Sequence, residues 1–172
     1  MSAIRLEPFS AAHLGAVRVL VTDRDVLRFT RVPEPVPTDY PERWLGRYEE
    51  GRHDGSREGF AIEDAATAEF LGLALVPTID REAQTVELGY IVSPRARGRG
   101  IASEALRLLT DWAFSEHGAL RVELLISVDN AASKRVAERC GYEREGVLRS
   151  IHVKDGVRQD MEIWSRLAGD DL

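Results

Sequence analysis

The chain opens on a short alternating run, Ile4-Arg5-Leu6, that predicts a first β-strand. Ser10 then precedes a 3.6-residue period in Leu14, Val17 and Leu20, the pattern of a capped helix with one buried face. A second helical stripe, Trp44, Leu45 and Tyr48, runs through residues 40–50, and residues 52–56 read as a loop. After that the period drops to two. Residues 59–63 and 69–76 predict a hairpin about the polar turn Asp64-Ala65-Ala66-Thr67, and residues 85–92 predict a third strand. Residues 101–116 return to helical spacing, with Ile101, Ala105, Leu108, Leu109 and Trp112 along one face and Gly118 placed to end the helix. Leu120, Val122, Leu124, Ile126 and Val128 alternate, which predicts a strand with all five on its buried face. Asp129-Asn130 opens a short helix closed by Gly141. Asp155-Gly156 marks a hairpin between residues 151–153 and a last strand over 161–167. The order β-α-α-β-β-β-α-β-α-β-β predicts a mixed α/β sheet in a single domain over residues 1–172. Four of the seven prolines fall between residues 33 and 41, an irregular loop and no domain boundary, since nothing ahead of it could form its own core.

Composition narrows the function classes. With 44% hydrophobic and 30% charged residues the chain is globular in character, and its net charge of −6 argues against a nucleic-acid partner. One cysteine, Cys140, excludes an internal disulfide, and the opening residues carry no apolar signal-peptide core, so a cytoplasmic location is expected. No apolar run approaches the roughly 20 residues of a membrane span, so no membrane partner is expected. The histidines, His13, His53, His117 and His152, lack ligand spacing, and no metal site is expected. Within this acidic chain, however, Arg95, Arg97 and Arg99 alternate in one short run.

That run is part of Arg95-Ala96-Arg97-Gly98-Arg99-Gly100-Ile101-Ala102, between a predicted strand and the long helix. Glycines there permit positive φ and close approach to a ligand. The free N–H groups of the helix start form an anion site, and the arginines add forked phosphate donors. A pyrophosphate-bearing cofactor follows physically; a turn that uses glycine for tight geometry and arginine for solubility is the plainer alternative. The GxxxxGK[ST] phosphate loop is absent, and GxGxxG lacks its third glycine at Ser103, so nucleotide-dependent kinase or redox chemistry is disfavoured.

These residues resemble the GNAT N-acetyltransferase superfamily, whose acetyl-CoA loop pattern [QR]xxGx[GA] is matched by Arg95 to Gly100. More closely, the chain resembles the RimJ/RimL-type branch, which includes ribosomal-protein N-terminal acetyltransferases. Glu87-Leu88-Gly89-Tyr90, Gly98 to Leu106, Asp129 to Ser133, Cys140-Gly141-Tyr142 and Glu145 to Arg149 fall in that branch's order. The resemblance spans nearly the whole chain. It implies a mostly antiparallel sheet flanked by helices, acetyl-CoA as cofactor with CoA as product, and acetyl transfer to a primary amine. Its members are often dimeric, so a homodimer is expected.

The resemblance also assigns roles. Backbone groups of Tyr90, Ile91 and Val92 would hold the pantetheine, with an N–H facing the thioester oxygen, and Gly89 would allow a bulge that splays the strand. Arg95, Arg97, Gly98, Arg99, Gly100, Ile101 and Ala102 would bind the pyrophosphate. Glu87 matches the acidic position from which family members relay a proton; on its own it reads equally as an outward-facing strand glutamate. Asn130 and Ser133 match an NxxS element, with the Asn130 amide on the pantetheine and the Ser133 hydroxyl near the sulfur, whereas taken alone Asn130 is a good N-cap. Many family members carry a tyrosine general acid where this chain has Ala137; the branch commonly lacks it too. Cys140 reads as packing.

For the acceptor, the resemblance implies entry between residues 29–48 and 152–161. Trp44, Asp160 and the acids Glu34, Asp39 and Glu42 could bind a cationic amine there; a solvated face fits the same residues equally, and Asp160 either lines the acceptor site or pairs with an arginine. A peptide or protein N-terminal α-amine is the leading acceptor. The alternatives are a polyamine or aminoglycoside acetyltransferase and a non-catalytic acyl-CoA sensor.

Overall fold

A computed structural model describes residues 2–170. The elements are β1 (Ile4–Pro8), α1 (Leu14–Leu20), α2 (Arg24–Phe29), α3 (Tyr40–Asp54), β2 (Glu58–Asp64), β3 (Phe70–Asp80), β4 (Thr85–Val92), α4 (Ile101–His117), β5 (Arg121–Ser127), α5 (Ala131–Arg139), β6 (Glu143–Lys154) and β7 (Val157–Leu167). One seven-stranded sheet runs in the order β1-β2-β3-β4-β5-β7-β6. Every neighbouring pair is antiparallel except β4–β5, which is parallel.

Alternation along β3 and β4 divides the core between the two faces of the sheet. Ala74 and Val76 of β3 and Val86 and Leu88 of β4 join α4, through Ala105, Leu106 and Leu109, in one cluster. Leu73, Leu75 and Ile91 point the other way and pack under α1, α2 and α3, through Val17, Leu20, Val26, Trp44 and Tyr48. By the same alternation Glu87 and Gly89 share the face of Ile91, while Tyr90 and Val92 lie on the α4 face.

Four expectations change. First, α2 was not visible in the hydrophobic pattern. It is six residues long and only Val26 is buried, so no period can build; its local signal is Asp23, whose side chain accepts from the Val26 N–H as an N-cap. Second, α3 continues to Asp54 and stops at Gly55, whose φ of +75° ends the helix in the left-handed region. Third, β5 is shorter than its alternation suggests: Leu120 and Val128 are 56% and 37% exposed, outside the paired segment. Fourth, the final hairpin is longer. β6 and β7 pair from Glu143 to Lys154, with bulges after Arg144 and Leu148, about a two-residue turn in which Asp155 and Gly156 both take positive φ.

Candidate active site

The sheet splits between β4 and β5. Their pairing stops after Thr85–Glu87 with Arg121–Glu123, so the remainder of each strand faces a cleft of about 530 Å³. A cleft of this size is typical of ligand sites. The expected bulge at Gly89 is not there. The extra residue lies on β3, where Val76 and Pro77 stand opposite the single residue Leu88. Proline has no N–H to give to a ladder, which explains why the register slips at this point. The Pro77 carbonyl instead accepts from Arg57 Nε at 3.0 Å.

At the cofactor end, β4 runs into a 3-10 turn at Pro94–Ala96 and then the glycine loop. Gly98 and Gly100 take φ of +75° and +80°, and Gly100 is the N-cap of α4. The unsatisfied first-turn N–H groups of Ile101, Ala102 and Ser103 follow it. The Ile101 side chain is buried in the core, so only its backbone can serve the loop. The three arginines differ. Arg97 is engaged by Asp23 and Asp25 (3.1 Å), and among the described residues it is the member of the run that forms ion pairs. Arg95 and Arg99 stand exposed on the loop. Arg97 therefore locks the loop to the N-terminus of α2, an arrangement hidden in the sequence because α2 itself was. These loop features fit a pyrophosphate: positive-φ glycines, a helix N-terminus and two guanidinium groups.

Tyr90, Ile91, Val92, Ala102, Asn130 and Ser133 all line the cleft. Asn130 caps α5 through Oδ1, which accepts from the Ser133 N–H at 3.1 Å, so its amide N–H₂ is left for a ligand. The Tyr90 hydroxyl donates to the Ser133 carbonyl at 3.4 Å and ties β4 to α5 across the split. Burial pushes the Tyr90 phenol up to about 12, so it is a proton donor at neutral pH. The role of this side chain was missed in the sequence, where Tyr90 figured through its backbone.

Further along, the cleft is walled by Glu87, Trp44, Tyr40 and Tyr48. Burial raises the proton affinity of Glu87; Arg31 opposes the rise, the Thr78 hydroxyl donates to Oε2 at 3.4 Å, and Glu123 adds repulsion. His152 lies in the same wall, 7% exposed. Arg31 Nε donates to its Nδ1 at 3.3 Å, and burial, with Arg31 and Lys154, holds its pKa below the usual histidine range. The ring is neutral at pH 7 with its proton on Nε2.

The acids expected near the acceptor lie elsewhere. Asp160 Oδ1 accepts from the Ser150 N–H at 2.8 Å and stabilises the β6 bulge. Glu34 pairs with Lys154, Asp39 with Arg43 and Glu42 with Arg18. In their place the cleft presents Arg31, Arg47 and Arg57. Cys140 is buried, its thiol donating to the Ser103 carbonyl at 3.4 Å. Among the described residues no helix is long and apolar enough to cross a membrane.

Comparisons with known proteins agree with this architecture. Residues 3–143 match the acetyltransferase (GNAT) domain family. The probable N-acetyltransferase YjcK of Bacillus subtilis is 33% identical over 128 residues, covering 74% of this chain and 71% of that protein. Alignments with two further Bacillus relatives span 64% of their lengths. RimL, a ribosomal L7/L12 α-N-protein acetyltransferase solved with coenzyme A, superposes with a TM-score of 0.86 at 20% identity, over 97% of this chain and 95% of that one. Spermidine N-acetyltransferase from Vibrio cholerae, in complex with CoA and spermine, superposes with a TM-score of 0.83 at 23% identity, over 97% of this chain and 96% of that one. At these identities the two structures speak for the shared fold. The chain belongs to the GNAT acetyltransferase family.

Proposed function

We propose that the protein moves the acetyl group of acetyl-CoA to the α-amine of a peptide or protein N-terminus. Acetyl-CoA supplies an acyl carbon activated as a thioester. The chain's residues do the rest. The glycine loop and the start of α4 hold the pyrophosphate, and the free β4 edge at Tyr90–Val92 with the Asn130 amide holds the pantetheine. Ser133 offers a hydroxyl toward the sulfur end of that slot, with the Tyr90 hydroxyl beside it. Glu87 takes the proton of the incoming amine.

The observation that carries this reading is the placement of Glu87, a half-buried carboxylate of raised proton affinity on the cleft wall where β4 and β5 part. An amine attacks only when neutral. An α-amine, with a reference pKa of about 7.7–8.0, already exists partly in that form at neutral pH, so a carboxylate base of modestly raised pKa suffices. A lysine or polyamine nitrogen, near 10.4, asks for more. The arginines of the acceptor end also repel a polycation.

The test is acetyl-CoA turnover, read as free thiol, with a short neutral peptide bearing a free N-terminus, the same peptide with its N-terminus blocked and one internal lysine, and spermidine. The free N-terminus should be the preferred acceptor, and mass spectrometry should place the acetyl group on its α-nitrogen. Preference for spermidine or for the internal lysine would overturn the acceptor. Thiol release equal to that with buffer alone across the set would overturn the enzyme reading.

A further inference from the structure

Among the described residues a minority of the arginines are ion-paired: Arg5 with Glu7 and Glu63, Arg18 with Glu42, Arg43 with Asp39, Arg52 with Glu58, Arg97 with Asp23 and Asp25, Arg121 with Glu123 and Glu145, and Arg144 with Glu162. The arginines at the acceptor end of the cleft are not among these pairs, and what sets them apart is that three of them line one cleft. Arg31, Arg47 and Arg57 reach it from the segment after α2, from α3 and from the connection into β2, and each is held by a neutral group. Arg31 donates to His152 Nδ1, Arg57 donates to the Pro77 carbonyl, and the Arg47 guanidinium sits 5.9 Å from the Tyr40 ring centroid. Neutral anchors fix the guanidinium positions without cancelling their charge.

Two carboxylates line the same cleft, and Asp25 is occupied by Arg97. Glu87 is the other carboxylate of the lining, and Asp54, outside the lining, also acts on Arg57. The groups are close enough to act on one another: Arg31 acts on Glu87, and Arg57, Arg47 and Glu87 all act on Tyr48. His152 is neutral and adds no charge. With Glu87 ionised, the side chains that line this end of the cleft still sum to a positive charge. The surplus is not explained by the cofactor's phosphates. Glu87 and the loop beyond Val92 are five strand residues apart, roughly 17 Å at the rise of a β-strand. Forked guanidinium donors held at the rim of a half-buried cleft suit carboxylates.

We propose that the acceptor is acidic: a peptide whose α-amine is followed within its first three residues by aspartate or glutamate, with the carboxylates received by Arg31, Arg47 and Arg57. This rests on the α-amine reading above and specifies its substrate. A residue advances a peptide by about 3.3 Å, so carboxylates at the second and third positions fall within reach of side chains that surround Glu87.

The experiment compares three hexapeptides that differ only at positions two and three: Ser-Asp-Glu, Ser-Ala-Ala and Ser-Lys-Lys, each with the same neutral remainder. The acidic peptide should show a kcat/KM about tenfold above the neutral one, mostly through KM, with the basic peptide lowest. Added salt should shrink the spread. Arg47→Gln and Arg57→Gln should each reduce the acidic-to-neutral ratio several-fold with the melting temperature retained. Arg47→Glu should raise the standing of the basic peptide. Equal kcat/KM for acidic and neutral peptides, or a ratio unmoved by these substitutions, would overturn the acidic specificity while leaving the α-amine reading intact. Should none of the three be turned over, the α-amine reading fails. Calorimetric titration of the same peptides into CoA-saturated protein then decides the specificity: tighter binding of the acidic peptide supports it, and equal binding overturns it.

Discussion

Burial raises the proton affinity of Glu87, and the shift acts on folding and on catalysis in opposite directions. A carboxyl group whose pKa is higher folded than unfolded binds its proton more readily in the native state. Its contribution to stability is therefore lost as pH rises through the two pKa values, and at neutral pH the ionised form burdens the fold. Glu87→Gln should leave the melting temperature at pH 7 unchanged or raise it. The same substitution should lower kcat by about 10²-fold, the usual contribution of a positioned base. It should also remove from the pH dependence of kcat the acidic limb that belongs to the carboxylate. A lowered melting temperature together with an unaltered pH profile would make Glu87 a structural residue. Part of the site was legible at this scale. Asn130 announces its cap by residue type, and Glu87 and Ser133 stand out through the motif resemblance. Arg31, Arg47 and Arg57 were not legible, because they come from three separate segments and each looks like an ordinary surface arginine until the fold brings them together. The acids named in their place were read one at a time, without the arginine or backbone partners that occupy them.

The pair β3–β4 sets the shape of the cleft, and two residues of β3 control it. Pro77 breaks the register, and Gly72 lets the strands approach so closely that a Cβ there would meet the Ile91 carbonyl oxygen at 2.1 Å and the Val92 Cα at 3.1 Å. Those atoms are backbone and cannot swing aside. Gly72→Ala should therefore push β4 outward, with a cost of about 1–3 kcal/mol, the range for overpacking, and a melting temperature several degrees lower. Ile91 and Val92 belong to the proposed pantetheine edge, so affinity for CoA should fall as well. Gly46→Ala, in the middle of α3 where an added Cβ meets nothing within 4 Å, should raise stability by about 0.5–1 kcal/mol through helix propensity. A Gly72→Ala protein with wild-type stability and CoA affinity would show that β4 tolerates displacement. Most elements could be read from the sequence because their periods are long: α3, α4 and the β2–β3–β4 meander each run through two or more repeats of their pattern. The element that could not, α2, is too short for periodicity, and its importance lies in a tertiary contact, Arg97 to Asp23 and Asp25. The bulge was expected at the glycine of β4, whereas the residue that cannot pair is the proline opposite.

Across the whole molecule the sheet is continuous only through the three residue pairs that join β4 to β5. On one side stand β1 to β4, on the other β5, β7 and β6, and α4 packs across the α4 face with the larger cluster. The net charge of −6, which first argued against polyanionic partners, averages over ion-paired surfaces and two basic regions, the glycine loop and the acceptor end. A ligand lodged between β4 and β5 would replace the missing strand pairs and bind only the folded chain. CoA at about 100 times its dissociation constant should then stabilise the protein by about 2.7 kcal/mol. For a chain of this size each kcal/mol is worth about 2–4 °C, so the melting temperature should rise by roughly 5–11 °C. The gain should be local as well as global. Amide exchange should slow at Leu88, Tyr90 and Val92, which alternate with the residues bonded to β3, and in the first turn of α4, and change little in β1 and β2. A duplex RNA at the same concentration should produce no shift, because the basic regions are small and the rest of the surface is acidic. If CoA leaves both the melting temperature and the exchange at Leu88, Tyr90 and Val92 unchanged, the split is not the cofactor slot, and the roles given to Tyr90, Asn130 and Ser133 fall with it.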